Sequence, residues 1–371
     1  MKILICADKF KGTLSAQGVC NALKTGILKS NSAVEIDTQP MADGGDGSLE
    51  LLKSLWNLEE IRVEVQDPLF RKITSSYLSN GKEAFVELPL ASGYALLQPE
   101  EKNPLKTTTL GTGELILDAF QKGHQKINLF IGGSSTNDAA IGIASALGYS
   151  FYDKNGIKLK PIGGNLINVQ SIKKSELVEK IKSIDLRVVC DVNNPFYGEK
   201  GAAKVYARQK GADDQAIKIL EQGLRNIDSV FESTGMGSVQ NFSGAGAAGG
   251  VGGGMKAMFG TDLIPGTQLF IELFNLENRI QNSDVVICGE GQLDSQSLDG
   301  KVVAGVLELC TKYEKPLILV CGKNDLKGVP NHSKMQVFST LDIAPTISES
   351  MNNPSKYLEL IGNELDFNPL I

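Results

Sequence analysis

Histidine is almost missing from this chain. It has two in 371 residues, His124 and His332, both in polar surroundings. That scarcity argues against a His-based catalytic triad and against a His-rich metal site. The six cysteines (Cys6, Cys20, Cys190, Cys288, Cys310 and Cys321) are scattered, with no C-x-x-C pair. Buried thiols are expected, not a zinc site or a disulfide framework. No apolar run approaches the ~18 residues of a membrane span. The N-terminal Met1–Ala7 run meets a charge at Asp8, too early for a signal peptide. The cytoplasm is the expected location, with no membrane partner. Lys/Arg clusters are absent and the formal net charge is -6, which argues against nucleic acid as the main partner. Small anions, needing only local positive charge, stay open. No G-x-x-x-x-G-K-[ST] sequence occurs, so any nucleotide site is not a P-loop.

What is present describes an ordinary globular chain, 42% hydrophobic and 22% charged. Its length suggests two domains or one large one. Lys2–Ala7 reads as a buried strand and residues 33–38 as a second, each followed by a polar loop and a helix pattern. This strand-loop-helix start is the signature of a parallel α/β sheet. The style then changes. Ile61–Val65, Ile73–Leu78 and Ala84–Leu88 alternate with period two, and Asn80-Gly81 signals a hairpin. A helix is expected over Thr112–Phe120 and a strand over Ile127–Ile131. A further helix is expected over Asp138–Leu147, capped by Asn137. Asn155-Gly156 reads as a second hairpin, and Leu186–Cys190 as a strand. Ile217, Leu220, Leu224, Ile227 and Phe231 form a helical stripe. The α/β style returns with a helix over Thr267–Asn282, strands at Val285–Cys288, Leu317–Cys321 and Met335–Ser339, and a helix over Val302–Leu309. The expected fold is therefore α/β in two domains. Residues 1–62 and 268–371 make a Rossmann-like parallel-sheet domain, with a mixed α/β domain, 63–267, inserted.

Polar clusters stand at loops after several of these strands, where ligands bind on an open parallel sheet. Asp8, Lys9 and Lys11 precede a helix capped by Ser15, a setting that suits an anion. In Pro40–Ser48, Asp43 and Asp46 lie among three glycines. Such a pair can hold Mg²⁺ through oxygen, or one member can take a proton from a hydroxyl. Gly132-Gly133-Ser134-Ser135-Thr136-Asn137-Asp138 leads into a helix pattern and offers more donors than a cap requires. Asp191 ends a strand, and Lys210 sits in a polar break between helices. Gly244–Gly249 satisfies G-x-G-x-x-G but follows no apolar strand, so it reads as close backbone approach or tight packing more than as a dinucleotide fingerprint. Glu290, Asp294 and Lys301 follow the strand Val285–Cys288 as metal, base and phosphate candidates. Carboxylates, lysines and Gly loops at strand ends suit phosphoryl transfer.

At these residues the chain resembles the type I family of bacterial glycerate kinases. The likeness runs in order through Ala7–Ala16, Pro40–Gly47, Gly111–Ile116, Ile131–Asp138, Asp191–Pro195, Gln209–Ala212, Gly244–Gly250 and Gly289–Asp294. Small departures stand at Lys9, Asp46, Ser135 and Ala139-Ala140. The resemblance implies ATP-dependent phosphorylation of glycerate to 2- or 3-phosphoglycerate with Mg²⁺, in a cleft between two α/β domains, by a monomer or homodimer. On that reading Asp43 is the first choice of base, with Asp46 and Asp8 behind it. The glycerate carboxylate falls to Lys11 and to the loop carrying Gly132, Gly133, Ser134, Asn137 and Asp138. ATP falls to Asp191, Lys210, Gly246, Glu290 and Lys301, with Asp191, Glu290 and Asp294 as metal ligands. A second class, a non-P-loop nucleotide-binding protein or an NAD-dependent dehydrogenase built on Gly244–Gly249, remains the alternative.

Overall fold

The computed structural model describes residues 1–45, 47–294, 297, 301–326 and 334–367. Asp46 and His332 lie outside them. Thirteen strands are described. In chain order they are β1 (Lys2–Ile5), β2 (Glu35–Thr38), β3 (Glu59–Gln66), β4 (Lys72–Ser79), β5 (Glu83–Glu87), β6 (Lys126–Phe130), β7 (Tyr149–Tyr152), β8 (Ser171–Lys174), β9 (Asp185–Val189), β10 (Leu263–Ile264), β11 (Val285–Leu293), β12 (Leu317–Asn324) and β13 (Met335–Ser339). Contacts divide the chain into two units, Met1–Leu51 with Pro265–Ile371, and Leu52–Ile264.

The first unit carries a wholly parallel sheet in the order β13-β12-β11-β1-β2. The chain runs outward from β1 to β2, then re-enters on the other side of β1 and runs outward again. The strand order therefore reverses between β1 and β11, the position where such sheets bind ligands. Successive residues of a strand face opposite sides. Ile3, Ile5, Val285, Ile287, Ile318 and Val320 join one buried cluster with Val19, Leu23 and Ile27 of the helix Ala16–Ser30 and with Leu358 and Ile361 of the helix Pro354–Glu364. Their alternates Leu4, Val286 and Leu319 are equally buried but lie outside that cluster. Both faces are thus covered, which is why these strands read as continuous apolar runs.

The second unit holds a six-stranded sheet, β10-β9-β6-β5-β4-β3. It is parallel from β10 to β5 and antiparallel at β4 and β3. Asn80-Gly81 does turn β4 into β5. Gly81 has φ 84, and the Asn80 side chain accepts from the Lys82 and Glu83 amides. The chain is α/β, a Rossmann-like parallel sheet and a mixed α/β unit, the class its pattern predicts.

Several details differ from the sequence reading. The units part near residues 51 and 264, not 62 and 267. β3 pairs with β4 from Glu59 onward, and the two-residue β10 is an edge strand too short to show a period. The hairpin at Asn155-Gly156 is short: Gly156 has φ 76, and only the antiparallel bridge Tyr152–Lys158 closes across it, while β7 pairs mainly with the more distant β8. The helix expected over Thr267–Asn282 is two, Gly266–Leu273 and Leu276–Gln281, broken at Asn275 with φ 50. The helix expected from Asp138 starts only at Ile141, because Ala139 and Ala140 are left-handed.

The Gly/Ala stretch explains that last departure. Ala248, Gly249 and Gly250 all have positive φ before the chain enters regular helix up to Phe259. A Cβ on Gly249 would overlap the Thr136 carbonyl, and one on Gly254 the Ala139 carbonyl. The Ala139 amide donates to the Gly249 carbonyl at 3.2 Å. Two backbones that lack side chains in between thus brace the loop at 132–140. Gly254→Ala should cost about 1–3 kcal/mol through overpacking, read as a lower urea midpoint; an unchanged midpoint would show that the contact is loose.

Candidate functional site

In the first unit a cavity of about 720 Å³ opens at the carboxyl ends of the strands. Its polar lining includes Asp8, Lys9, Lys11, Asp43, Glu290, Asp294 and Lys301. The ladder continues past β1 to place Asp8. The Cys6 amide donates to Ile287 O and the Asp8 amide to Gly289 O at 2.9 Å, one residue before Glu290. The Met41 amide donates to Ala7 O at 2.9 Å, which brings the Asp43 loop to the same edge. Asp43 Oδ1 accepts from the Gly45 amide at 3.0 Å, and Gly45 O accepts from the Ser48 hydroxyl at 2.7 Å. The Asp8 carboxylate is 8% exposed and accepts from the Lys9 amide at 2.7 Å.

This crowding shows in the acidities. Burial pushes the Asp8 carboxyl up to about 7; the charge of Asp43 adds to the shift, Lys9 opposes it, and Glu290 adds a smaller push. Glu290 is raised by burial. The Ser297 hydroxyl and the Lys301 charge pull it back, while Asp294 and Asp43 push it up. Glu290 Oε1 is buried without a hydrogen-bond partner among the described residues. An orphaned carboxylate oxygen among like charges is a place for a cation. Among the described residues no three acidic, His or Cys groups form a closed metal cage.

The second unit has its own polar cluster. Gly132 and Gly133 are exposed, and the chain then dives inward. Ser134, Ser135, Thr136, Asn137 and Asp138 are buried. Lys210, 4% exposed, donates to Ser134 Oγ at 2.6 Å and to the Thr136 carbonyl at 2.7 Å. Asp138 Oδ2 accepts from the Thr109 amide and hydroxyl at 2.8 and 2.9 Å. Thr136 Oγ1, both amide atoms of Asn137, and Asp138 Oδ1 have no partner among the described residues. Asn137 therefore does not cap a helix; its donor and acceptor are held in reserve. Burial raises Asp138 to about 6 against the hydrogen bonds from Thr109 and Gly142. Burial lowers Lys210 from 10.5 to about 7, opposed by the charge of Asp138.

The predicted residues thus sort into two groups. Asp8, Lys11, Asp43, Glu290, Asp294 and Lys301 share the first unit's cavity, while Asp46 lies outside the described residues. Lys210, grouped from sequence with the nucleotide residues, is bonded instead to the Ser134–Thr136 loop expected to hold substrate. Asp191 is exposed just past the end of β9. Gly246 is buried, where a Cβ would overlap Pro195 O, and its amide donates to Asn194 O at 2.9 Å. Its neighbourhood is packed backbone, and the G-x-G-x-x-G match follows no strand. Two groups were missed. Thr107, Thr108, Thr109 and Thr112 are fully buried around the second cluster, and a run of three threonines before Gly111 was the available signal. Gly322, Lys323 and Thr340 also line the cavity, at the ends of β12 and β13, where the strand-end rule already applied to other loops.

A doubly wound sheet gathering acids and lysines at its carboxyl edge, without a P-loop, defines an α/β enzyme of phosphotransferase type. Comparison with known proteins makes the class specific. A model of the glycerate kinase family matches residues 3–365. Glycerate 2-kinase of Escherichia coli (strain K12) is 38% identical over 354 residues, 94% of this chain and 93% of that protein. A glycerate kinase of Bacillus subtilis (strain 168) is 34% identical over 369 residues, 98% of this chain and 97% of that protein. The crystal structure of a putative glycerate kinase 2 from Salmonella typhimurium LT2 superposes with a TM-score of 0.83 at 32% identity, covering 98% of this chain and 96% of that one. The chain belongs to the glycerate kinase family.

The buried amine gives a pH test. Unfolded Lys210 holds its proton up to about 10.5 and folded Lys210 only up to about 7. The unfolded state binds more protons in that window, so this residue's contribution makes stability rise with pH from 7 toward 10.5. Denaturant titrations at pH 7 and pH 9 should show wild type gaining stability relative to Lys210→Met; a parallel response in the two proteins would contradict the burial argument.

Proposed function

We propose that the protein transfers the γ-phosphoryl group of ATP to a hydroxyl of D-glycerate, giving phosphoglycerate and ADP. The observation that carries this is the meeting of Asp8, Asp43 and Glu290 with Lys9, Lys11 and Lys301 at the point where the strand order reverses. Phosphoryl transfer asks for little covalent help and much charge placement. Lysines on the cavity wall meet phosphate oxygens. Glu290 and Asp43, with Asp294 beside them, would hold Mg²⁺, which would neutralise phosphate charge there.

The glycine-rich loop makes Asp43 the first choice of base from sequence; Asp8 is the base we propose. Asp8 is buried just past the end of β1 and lines the cavity beside Asp43 and Glu290, within reach of a hydroxyl bound there. As the hydroxyl oxygen bonds to the γ-phosphorus, its proton passes to Asp8 and the bond from that phosphorus to the β-phosphate oxygen breaks. Asp43 stays in its turn with Gly45 and keeps Asp8 basic. Lys11, on the wall of that cavity, serves the glycerate carboxylate; the donors of Gly132–Asn137 in the second unit, held by Lys210, are a separate anion-binding candidate. The name of the E. coli relative, glycerate 2-kinase, supports the 2-hydroxyl as acceptor. Six free cysteines support a reducing compartment, and we place the enzyme in the cytoplasm as a monomer or homodimer. No helix among the described residues is long and apolar enough to cross a membrane.

Asp8→Asn keeps the side-chain volume and removes the base. With ATP, Mg²⁺ and D-glycerate it should lower kcat by about 10²–10⁴ and change the ATP KM far less. A variant whose kcat stays within about threefold of wild type rules Asp8 out as the base.

A further inference from the structure

The cavity in the first unit is not polar throughout. Leu341, Ile347, Met351 and Pro354 line it as well, on the short C-terminal helices that follow β13. Sheet order says where this wall stands. Along the carboxyl edge, β2, β1 and β11 lead to Asp43, Asp8 and Glu290, and next come β12 with Gly322 and Lys323, and β13 with Thr340. The cavity thus runs from an acidic, lysine-lined end to an apolar end. The apolar end is tied down. Ser339 Oγ donates to Gly322 O at 2.9 Å, Thr340 Oγ1 to the same oxygen at 3.3 Å, and Thr340 and Ser350 share a hydroxyl hydrogen bond of 2.7 Å. Yet Ile347 is 64% exposed and Met351 55% exposed. These are large apolar side chains left open on an anchored frame.

A three-carbon acid does not fill about 720 Å³, a volume within the range of roughly 300–1,000 Å³ typical of larger ligands. A molecule with a polyanionic tail and a flat, weakly polar head does. We infer that Leu341, Ile347, Met351 and Pro354 form the subsite for the purine ring of the nucleotide, with its phosphates directed along the sheet edge toward Lys301 and the carboxylates. Met351 suits the role because an unbranched thioether adapts to a flat aromatic face. This subsite rests on the ATP reading above and adds to it which segment of the chain grips the base.

The test separates base from phosphate. Titration calorimetry of the full chain uses two probes with Mg²⁺, ADP and inorganic pyrophosphate, on wild type and on the Ile347→Ala, Met351→Ala double variant. Both side chains are exposed, so the fold should persist, which circular dichroism checks. The subsite predicts an ADP Kd raised about tenfold, with pyrophosphate affinity and the glycerate KM unchanged. An ADP Kd unaltered within twofold, or equal weakening of ADP and pyrophosphate, overturns the subsite while leaving the kinase reading standing. A wild type that binds no ADP overturns both.

Discussion

Three carboxylates, Asp8, Asp43 and Glu290, are held close together where water is scarce, at the reversal point of a parallel sheet. Like charges so placed repel, and the rest of the first unit resists that repulsion. The β1–β11 ladder fixes Asp8 and Glu290 by backbone hydrogen bonds, and the Met41–Ala7 bond fixes the Asp43 loop. Apolar residues on both sheet faces keep those strands from moving apart. The consequence is chemical. Desolvation raises Asp8 and Glu290, and their mutual charge makes a bound cation favourable. A fold stable enough to keep charges in this arrangement has stored the electrostatic work that phosphoryl transfer draws on.

The second unit uses the same logic with opposite signs. Lys210 is a buried amine that stays in place because Ser134 and a backbone carbonyl accept its hydrogen bonds. It anchors a loop whose remaining polar atoms, on Thr136, Asn137 and Asp138, are unspent. Removing water from polar groups without satisfying them is costly. The glycine-rich helix start at Ala247–Gly250 holds the loop in that state by leaving no room to relax. These glycines, which look from sequence like a nucleotide fingerprint, act by close packing.

Much of this is legible in the sequence. Period-two and apolar runs place most of the strands. The rule that loops after parallel strands carry ligands picks out Asp8, Asp43, Glu290 and the Gly132–Asp138 loop. What was not legible was set by tertiary contact. Ala139 and Ala140 have ordinary helix-forming side chains, yet both take positive φ where this stretch packs against the backbone of Gly249 and Gly254. The partner of Lys210 lies more than seventy residues away and leaves no local mark. The order of strands, and with it the meeting of β1 with β11 and the apolar end beyond β13, is a property of chain topology.

The chemistry assigned to that sheet edge is the central claim. Phosphorus NMR of a mixture of the enzyme, ATP, Mg²⁺ and D-glycerate observes it directly. The account predicts a new phosphomonoester resonance growing in step with ADP and coupled to a glycerate proton, its splitting identifying the hydroxyl. ATP left intact, or consumed only to inorganic phosphate, would contradict it.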